Sequence, residues 1–435
     1  MNTSTRPNIL IILADDHGYG DISLHGGPHL QTPHIDRIAR DGIHLTNFYA
    51  NSSVCSPSRA ALMTGRFPDR VGVPGVIRTH ANNSWGYFDV NAITLPDRLK
   101  KAGYHTSLFG KWHLGLTPEN HPNQRGFDCF KGFLGDMMDD YYTHLRHDIN
   151  YMQIDQTEIH PEGHATDLFT DWTIEHIRQR ADSDQPFFTY LAYNAPHTPI
   201  QPPQEWVERV RAREPQASAE RVQYVALVEH MDAGIGRVLA ALAETGQLDN
   251  TLVIYTSDNG GQMNVGATNG PYRGEKGDMY EGGIRVPACA MWPGHIPAGS
   301  TSDQVALLMD LFPTVCQAAA CADEHKIEGR SILPTLLGQQ QDFADRILYW
   351  VRREGSPRFL GLCQHAVRQG DLKLLHNGAF EPLELFALGD DPQEKRDRTE
   401  SHRSEFSAMA KLLEQEIQRA GCIPWQPPSD DSTTP

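Results

Sequence analysis

The chain has 435 residues, with 55 aspartates and glutamates against 38 lysines and arginines, a formal net charge of -17 with histidines neutral. That length buries a large core and predicts one big domain with a smaller companion. The acidic balance excludes nucleic acid as a bulk partner, so any anionic ligand must be caught by a local cluster of positive groups. Seven cysteines, an odd number spread from Cys55 to Cys422, do not read as a disulfide framework.

The first predicted element is the apolar run NILIILA (8–14), which passes directly into ADDHGYGD. It reads as a core strand and not as a signal peptide, and no run reaches the roughly 18 apolar residues of a membrane span. The chain as written is therefore expected in the cytoplasm, or in the periplasm or outside the cell if a leader was removed. HIDRIARDG predicts a helix. In NSSVCSPSRAALMTGR (51–66), Ser56 reads as an N-cap, Pro57 as the first helical residue and Gly65 as the C-cap. Cys55 is thereby expected at the mouth of a short helix, where unpaired N–H groups and the dipole favour an anion, with Arg59 about one turn in. TLPDRLKKAG predicts the next helix and HTSLFG (105–110) the next strand, followed by Lys111 and His113. ATDLFTDWTIEHIRQRA is helical, PFFTYLAYN (186–194) is a strand, and His197 lies beyond it in APHTP. After the long helix SAERVQYVALVEHMDAGIGRVLAALAETG comes the strand TLVIYTS (251–257), which runs into Asp258 and Asn259 of SDNGG. Lys276 sits in the glycine-rich GEKGDMYEGG.

Past MDLFPTVCQAAA the composition shifts. The polar LLGQQQDFADR (336–346) precedes ILYWVRR, HAVRQGDLKLLHN and PLELFAL, which read as antiparallel strands, and the helix EFSAMAKLLEQEIQRAG. Strands apolar on both faces alternating with amphipathic helices predict an α/β fold, a large sheet with helices on both sides. The expected domains are residues 1–340, a small C-terminal α+β unit at 341–425 with a short antiparallel sheet, and a disordered tail at 426–435.

In open α/β sheets ligands gather beyond the carboxyl ends of the strands. Asp15, Asp16, Asp258 and Asn259 all follow such ends and offer three carboxylates and an amide carbonyl. These are hard oxygen donors of the kind Ca2+ or Mg2+ selects, and three clustered carboxylates without a cation would repel. Each half has a plainer reading, since DD after a strand is often a turn or cap and DNGG is a common turn. Arg59, Lys111, His113, His197 and Lys276 form a positive set suited to a tetrahedral oxyanion. Together they point to displacement at a sulfuryl or phosphoryl centre by positioning and charge.

CSPSRAALMTGR resembles the sulfatase signature, in which the cysteine of a CxPxR sequence is oxidised after translation to Cα-formylglycine. LADDHGYGD, GKWHLG, APHTP, SDNGG and GEKGDMYEGGIRVP are similar to further segments of that family in the same order, over residues 7–340. AVRQGDLKLL, ELFAL and DPQE resemble its small C-terminal domain. The glycine-rich segments and MWPGHIPAG are most similar to arylsulfatases and N-acetylgalactosamine-6-sulfatases of the type I class. The resemblance implies an alkaline-phosphatase-like fold and hydrolysis of sulfate esters on a carbohydrate. It also implies a divalent cation, Ca2+ or alternatively Mg2+, on Asp15, Asp16, Asp258, Asn259 and the modified Cys55. A formylglycine-generating enzyme is then a required partner. By the same analogy one hydroxyl of the hydrated aldehyde attacks sulfur, His197 or Lys276 protonates the leaving alcohol, and His113 takes the proton of the second hydroxyl. Arg59 and Lys111 would orient the hydrate, with Lys111, His197 and Lys276 touching substrate.

Three rivals are weighed against this. A phosphate or phosphonate ester hydrolase of the same superfamily would use a similar site. A thiol hydrolase pairing Cys55 with His113 would need a lowered thiol pKa at the helix N-terminus. A non-catalytic protein that captures sulfated glycans would leave Cys55 unmodified. For substrate contacts the sequence offers Arg78, His80, Arg146, His147, Arg273, Arg352 and Arg353 as anion partners, with Trp85 or Trp112 as a stacking surface. An exo-acting enzyme on galactosamine-containing glycosaminoglycan fragments is the expectation. Oligomeric state is not expressed in the sequence.

Overall fold

The computed structural model describes residues 6–80, 84–321, 325, 327–355, 359–421 and 423–426. NILIILA forms β1 (Asn8–Ala14). Its Ile9, Ile11 and Leu13 join one buried cluster and Leu10, Ile12 and Ala14 another, which is why the run is apolar without alternation. Nine further strands extend the sheet among the described residues: β2 (Ile43–Leu45), β3 (His105–Lys111), β4 (Cys129–Phe133), β5 (Met152–Ile154), β6 (Thr157–Glu158), β7 (Phe187–Ala192), β8 (Thr251–Ser257), β9 (Ala288–Met291) and β10 (Ser300–Ser302). Their order is β10-β2-β9-β8-β1-β7-β3-β4-β5-β6. The central run from β8 to β4 is parallel, and antiparallel pairs flank it on both sides. The short flanking strands had no signal in the sequence, because two to five residues give too little periodicity to read.

Register decides where the chemistry falls. Ala14 pairs with Ser257, Leu13 with Ala192, and Ala192 with Gly110, so the carboxyl ends of β8, β1, β7 and β3 form one contiguous edge.

The helices that cover the sheets include α1 (Pro33–Arg40), α2 (Cys55–Thr64), α3 (Leu95–Lys101), α4 (Ala165–Gln179), α5 (Ala219–Glu244), α6 (Leu311–Ala318) and, near the C-terminus, α7 (Arg403–Arg419). α1, α4 and α5 cover one sheet face, and α2, α3 and α6 the other. α3 carries a capping box between Thr94 and Asp97. α1 has no capping side chain of its own. Asp232 of α5 supplies one, accepting from the backbone N–H groups of His34 at 3.2 Å and Ile35 at 2.8 Å. No helix among the described residues is long and apolar enough to cross a membrane.

A separate antiparallel sheet holds β11 (Ile347–Glu354), β12 (Leu362–Gln369), β13 (Leu372–His376) and β14 (Glu384–Ala387). HAVRQGDLKLLHN breaks at Gly370, whose positive φ of 57° serves the turn between β12 and β13. This sheet and α7 share a core cluster with Ala61 of α2, Tyr49 and Met309, so the C-terminal unit packs directly behind α2. Polar groups reinforce the contact. Buried Lys373 of β13 donates to Glu281 at 2.9 Å and Glu394 at 2.7 Å. Residues 427–435, most of the expected disordered tail, lie outside the described residues.

Candidate active site

Cys55 is itself the first residue of α2, which begins two positions earlier than the Pro57 start read from the sequence. Val54 stands at the N-cap and gives no side-chain cap, while Ser56, expected to cap, instead accepts from the N–H of Ile77 at 3.1 Å. Gly65 ends the helix with φ 66°, as expected. All ten residues of α2 are buried, because the main sheet lies on one side and the C-terminal sheet on the other. A helix enclosed all round shows no amphipathic stripe.

Around Cys55 the strand ends converge. Its Sγ lies 3.3 Å from Oδ1 of Asp15 and 4.0 Å from Oδ1 of Asp16. Lys111, the last residue of β3, donates to Oδ2 of Asp15. Arg59 donates through Nε to Asp258 at 2.9 Å and through Nη1 to the Lys111 carbonyl at 3.2 Å. Lys276 reaches Oδ2 of Asp16 at 2.7 Å, and Nε2 of His197 stands 3.6 Å from the same oxygen. Asn259 donates from Nδ2 to Oδ1 of Asp16 at 2.8 Å. The Lys276 loop is pinned by backbone bonds from Lys276 to Gly261 and from Gly277 to Ser53. Gly260 and Gly283 are bonded backbone to backbone, and a Cβ on Gly260 would overlap the carbonyl of Gly282. That contact explains why SDNGG and YEGG are both glycine-rich. Asp16 and His113 adopt φ of 65° and 61°, left-handed backbone in non-glycine residues. Such strain is held only where the surroundings fix it. His113 therefore does not continue β3 as an extended chain, yet it still lines the same cavity as Cys55.

The electrostatics follow from burial. Burial alone would raise Asp15, but Lys111, His197 and Arg59 hold its carboxyl well below the usual range. Asp258 is pushed up to about 7, by burial first and by Asp15 second. Burial and Lys111 keep His113 well below an ordinary histidine, and burial and Lys276 lower His197. Lys276 is held above its ordinary value by Asp16 in spite of burial. Cys55 runs opposite to what a thiol nucleophile needs: burial and Asp15 push it well above its ordinary value. A thiol shifted in that direction does not support the thiol hydrolase reading.

The residues form a candidate metal cluster. Asp15, Asp16, Cys55 and His197 offer ligand atoms within 4.8 Å of one another. Oδ1 of Asn259 is buried without a hydrogen-bond partner among the described residues, an oxygen aimed at nothing the chain supplies. Asp258 is turned to Arg59 and to the backbone N–H of Asp16, and is not in that closest group. Without a cation, the carboxylates of Asp15, Asp16 and Asp258 pair with Arg59, Lys111 and Lys276. In a second group, His164, Asp167 and His230, Nε2 of His230 pairs with Asp167 at 3.0 Å and both nitrogens of His164 are taken. Nδ1 of His164 accepts from Thr166 and Nε2 donates to Gln201, leaving no lone pair for a metal.

A cavity of about 440 Å3 opens above Cys55, lined also by His113, His197, Lys276, Arg78 and Arg352. Arg146 lines it too, but is taken up by Asp136 at 3.1 Å and Asp139 at 2.6 Å. The remaining sequence candidates lie elsewhere. Arg273 turns to Tyr280 and Glu384, Arg353 to His365, and His80 packs on His147. Trp112 is fully buried with its indole N–H on Asn120, and Trp85 packs against Trp425. Missed by the sequence reading was Glu354, buried beneath Arg78 and Arg352. Its one signal was its place two residues after Arg352 on a strand, hence on the same face.

Comparison with known proteins agrees with this geometry. The sulfatase family model matches residues 7–321, and a model described as N-sulphoglucosamine sulphohydrolase, C-terminal, matches residues 274–421. The N-acetylgalactosamine-6-sulfatase of Homo sapiens is 35% identical over 369 residues, covering 80% of this chain and 68% of the relative. Arylsulfatase A of Homo sapiens is 35% identical over 365 residues, covering 76% and 68%. The solved structure of Ps i-CgsB in complex with k-i-k-neocarrahexaose superposes with a TM-score of 0.87 at 31% identity, covering 95% of this chain and 93% of the other. A further structure, BT4656 in complex with its substrate D-glucosamine-2-N,6-O-disulfate, gives 0.76 at 25%, covering 95% and 98%. With the family model over most of its length and relatives above 30% identity, the chain belongs to the sulfatase family, hydrolases of sulfuric esters.

Proposed function

We propose that the protein removes O-sulfate from the ends of glycosaminoglycan-type oligosaccharides, using a formylglycine made from Cys55 and a divalent cation. The observation that carries this reading is the convergence of two acidic strand ends and three basic side chains on Cys55 at the floor of one cavity. Relatives named for sulfated sugars support the carbohydrate class. A cavity of about 440 Å3 suits a chain end better than an extended polymer.

The proposed ligands of the cation are Asp15, Asp16, Asp258, Asn259 and residue 55, with Ca2+ the first choice and Mg2+ the second. When bound, the cation and the hydrated aldehyde supply positive charge and an activated hydroxyl at residue 55. The chain's own groups do the rest. Since three carboxylates and three basic groups already balance, a divalent ion leaves the site positive and ready for an anionic ester. Arg59 is fixed by Asp258 and by the Lys111 carbonyl, so it orients the site without reorganising. Nε2–H of His113 donates to the Ile77 carbonyl at 2.7 Å, which leaves Nδ1 unprotonated and without a partner among the described residues. That atom is the proposed proton acceptor. The leaving alcohol is proposed to take its proton from His197 or Lys276. Of these, Lys276 carries one at Nζ in this arrangement.

We also propose that residues 1–340 form the catalytic domain and 341–425 a C-terminal domain, supported by the separate sheet that starts at Ile347. Maturation is proposed to need a formylglycine-generating enzyme. Peptide mass spectrometry across Cys55 in protein from a host with that enzyme tests the reading: an aldehyde is expected. A free thiol in protein that still releases sulfate would contradict it.

A further inference from the structure

Two arginines from distant parts of the chain wall the cavity above Cys55. Arg78 follows Ile77, whose N–H donates to Ser56 and whose carbonyl accepts from His113, so its backbone is tied to the mouth of α2. Arg352 lies on β11, where alternate side chains share a face. Arg353 therefore turns away to His365, while Nη1 of Arg352 donates at 3.0 Å to the carbonyl of Gly277, next in sequence to Lys276. Between the two arginines stands Glu354, with no exposed surface. It accepts from Nη1 of Arg78 at 2.7 Å and from Nε of Arg352 at 3.4 Å. The Phe359 ring faces both guanidinium carbons, at 4.9 and 5.5 Å from its centroid. One carboxylate thus fixes two forks and neutralises one of them. Both guanidinium forks line the cavity, positive groups in a shape suited to bidentate binding of an oxyanion.

We propose that Arg78 and Arg352 form an anion subsite that holds a second anionic group of the sugar, beside the ester that is cleaved. This rests on the sulfatase reading above and sharpens it: the substrate class is an oligosaccharide end with at least two anionic groups, the second a sulfate or a carboxylate. Arg146 across the cavity does not supply this charge, because two aspartates already hold it.

The test compares kcat/KM for three matched disaccharides: one with the scissile sulfate alone, one with a second sulfate, and one with a neighbouring uronate. The parent protein is expected to prefer one or both dianionic sugars by on the order of 10- to 100-fold, the size of one or two charge-assisted hydrogen bonds. The larger preference identifies the anion. Arg78→Met and Arg352→Met should each shrink that preference by about tenfold, and Arg352→Lys, which keeps charge but loses the fork, should fall between. Because the readout is a ratio within one protein, partial loss of folded enzyme cancels. No preference in the parent, or an unchanged preference in both methionine variants, overturns the subsite and leaves the sulfatase reading standing. Failure of the parent to release sulfate from any of the three sugars and from an aryl sulfate overturns that reading, and this inference with it.

Discussion

Oδ2 of Asp258 accepts from Arg59 and Oδ1 from the backbone N–H of Asp16, so one carboxylate joins α2 to the end of the first strand. Removing it strands a guanidinium with no exposed surface. Asp258→Ala is expected to lower kcat/KM for a sulfated disaccharide by about a thousandfold and to destabilise the fold by about 3–5 kcal/mol, read from steady-state rates and urea titration. Activity within tenfold of the parent would remove Asp258 from the site. For His113, substitution by alanine should cut kcat by on the order of 100- to 10,000-fold with little change in KM, the pattern of a lost proton acceptor. A change confined to KM would make it a binding group. The acidic and basic residues were legible in the sequence because each follows a strand end or sits in a glycine-rich loop, except Arg59, which was legible from its place one turn into the helix that follows Cys55. Glu354 was not, since a buried acid on a strand has no surface pattern to give it away. Of the seven anion partners read from the sequence, Arg78, Arg146 and Arg352 line the cavity, and Arg146 is held by Asp136 and Asp139; strand alternation separates Arg352 from its neighbour Arg353.

The elements carry their own tests. The four long strand runs were readable as uninterrupted apolar stretches, and the longer helices from periodicity, to within a residue or two. The short edge strands were not, because tertiary pairing and not propensity makes them. The start of α2 was misplaced by the serine-proline signal, which tertiary packing overrides: Ser56 faces Ile77 and not its own helix. α1 borrows its cap from Asp232, so Asp232→Ala should cost about 1–2 kcal/mol in chemical denaturation. An unchanged midpoint would show that solvent caps the helix equally well. Behind the site, Lys373 bonds to both Glu281 and Glu394. Burial and the neighbouring Glu281 push Glu394 up to about 7 from its ordinary 4.5, whereas Glu281 lies at about 2, burial being outweighed by Lys373 and Arg285. Between pH 4.5 and about 7 the folded chain thus keeps a proton on Glu394 that the unfolded chain has released, and stability contributed by this residue falls as pH rises through that window. The Glu281 contribution is lost only below pH 4.5 and does not alter that slope. Glu394→Gln should flatten the decline between pH 4.5 and 7 in thermal melts; a slope equal to the parent's would reject the assignment.

At the scale of the whole molecule, the site exists because a parallel sheet delivers four strand ends to one edge while a buried helix brings position 55 to meet them. The sequence made the general plan visible, since uninterrupted apolar strands require cover on both faces. It did not show that the C-terminal sheet packs on α2 and lends Arg352 to the cavity wall. A cation that binds only the folded arrangement should stabilise it by mass action. Chelation of the matured protein is expected to lower both the melting temperature and sulfate release, and added Ca2+ to restore both. The central claim is that residue 55, at the meeting point of these elements, is the reacting group of a sulfatase. Its most direct test is the rate of sulfate release from a sulfated N-acetylhexosamine disaccharide by the matured protein and by Cys55→Ala, with both confirmed folded by circular dichroism. Loss of at least about a thousandfold in the variant is the predicted result. Release within tenfold of the parent would contradict the account.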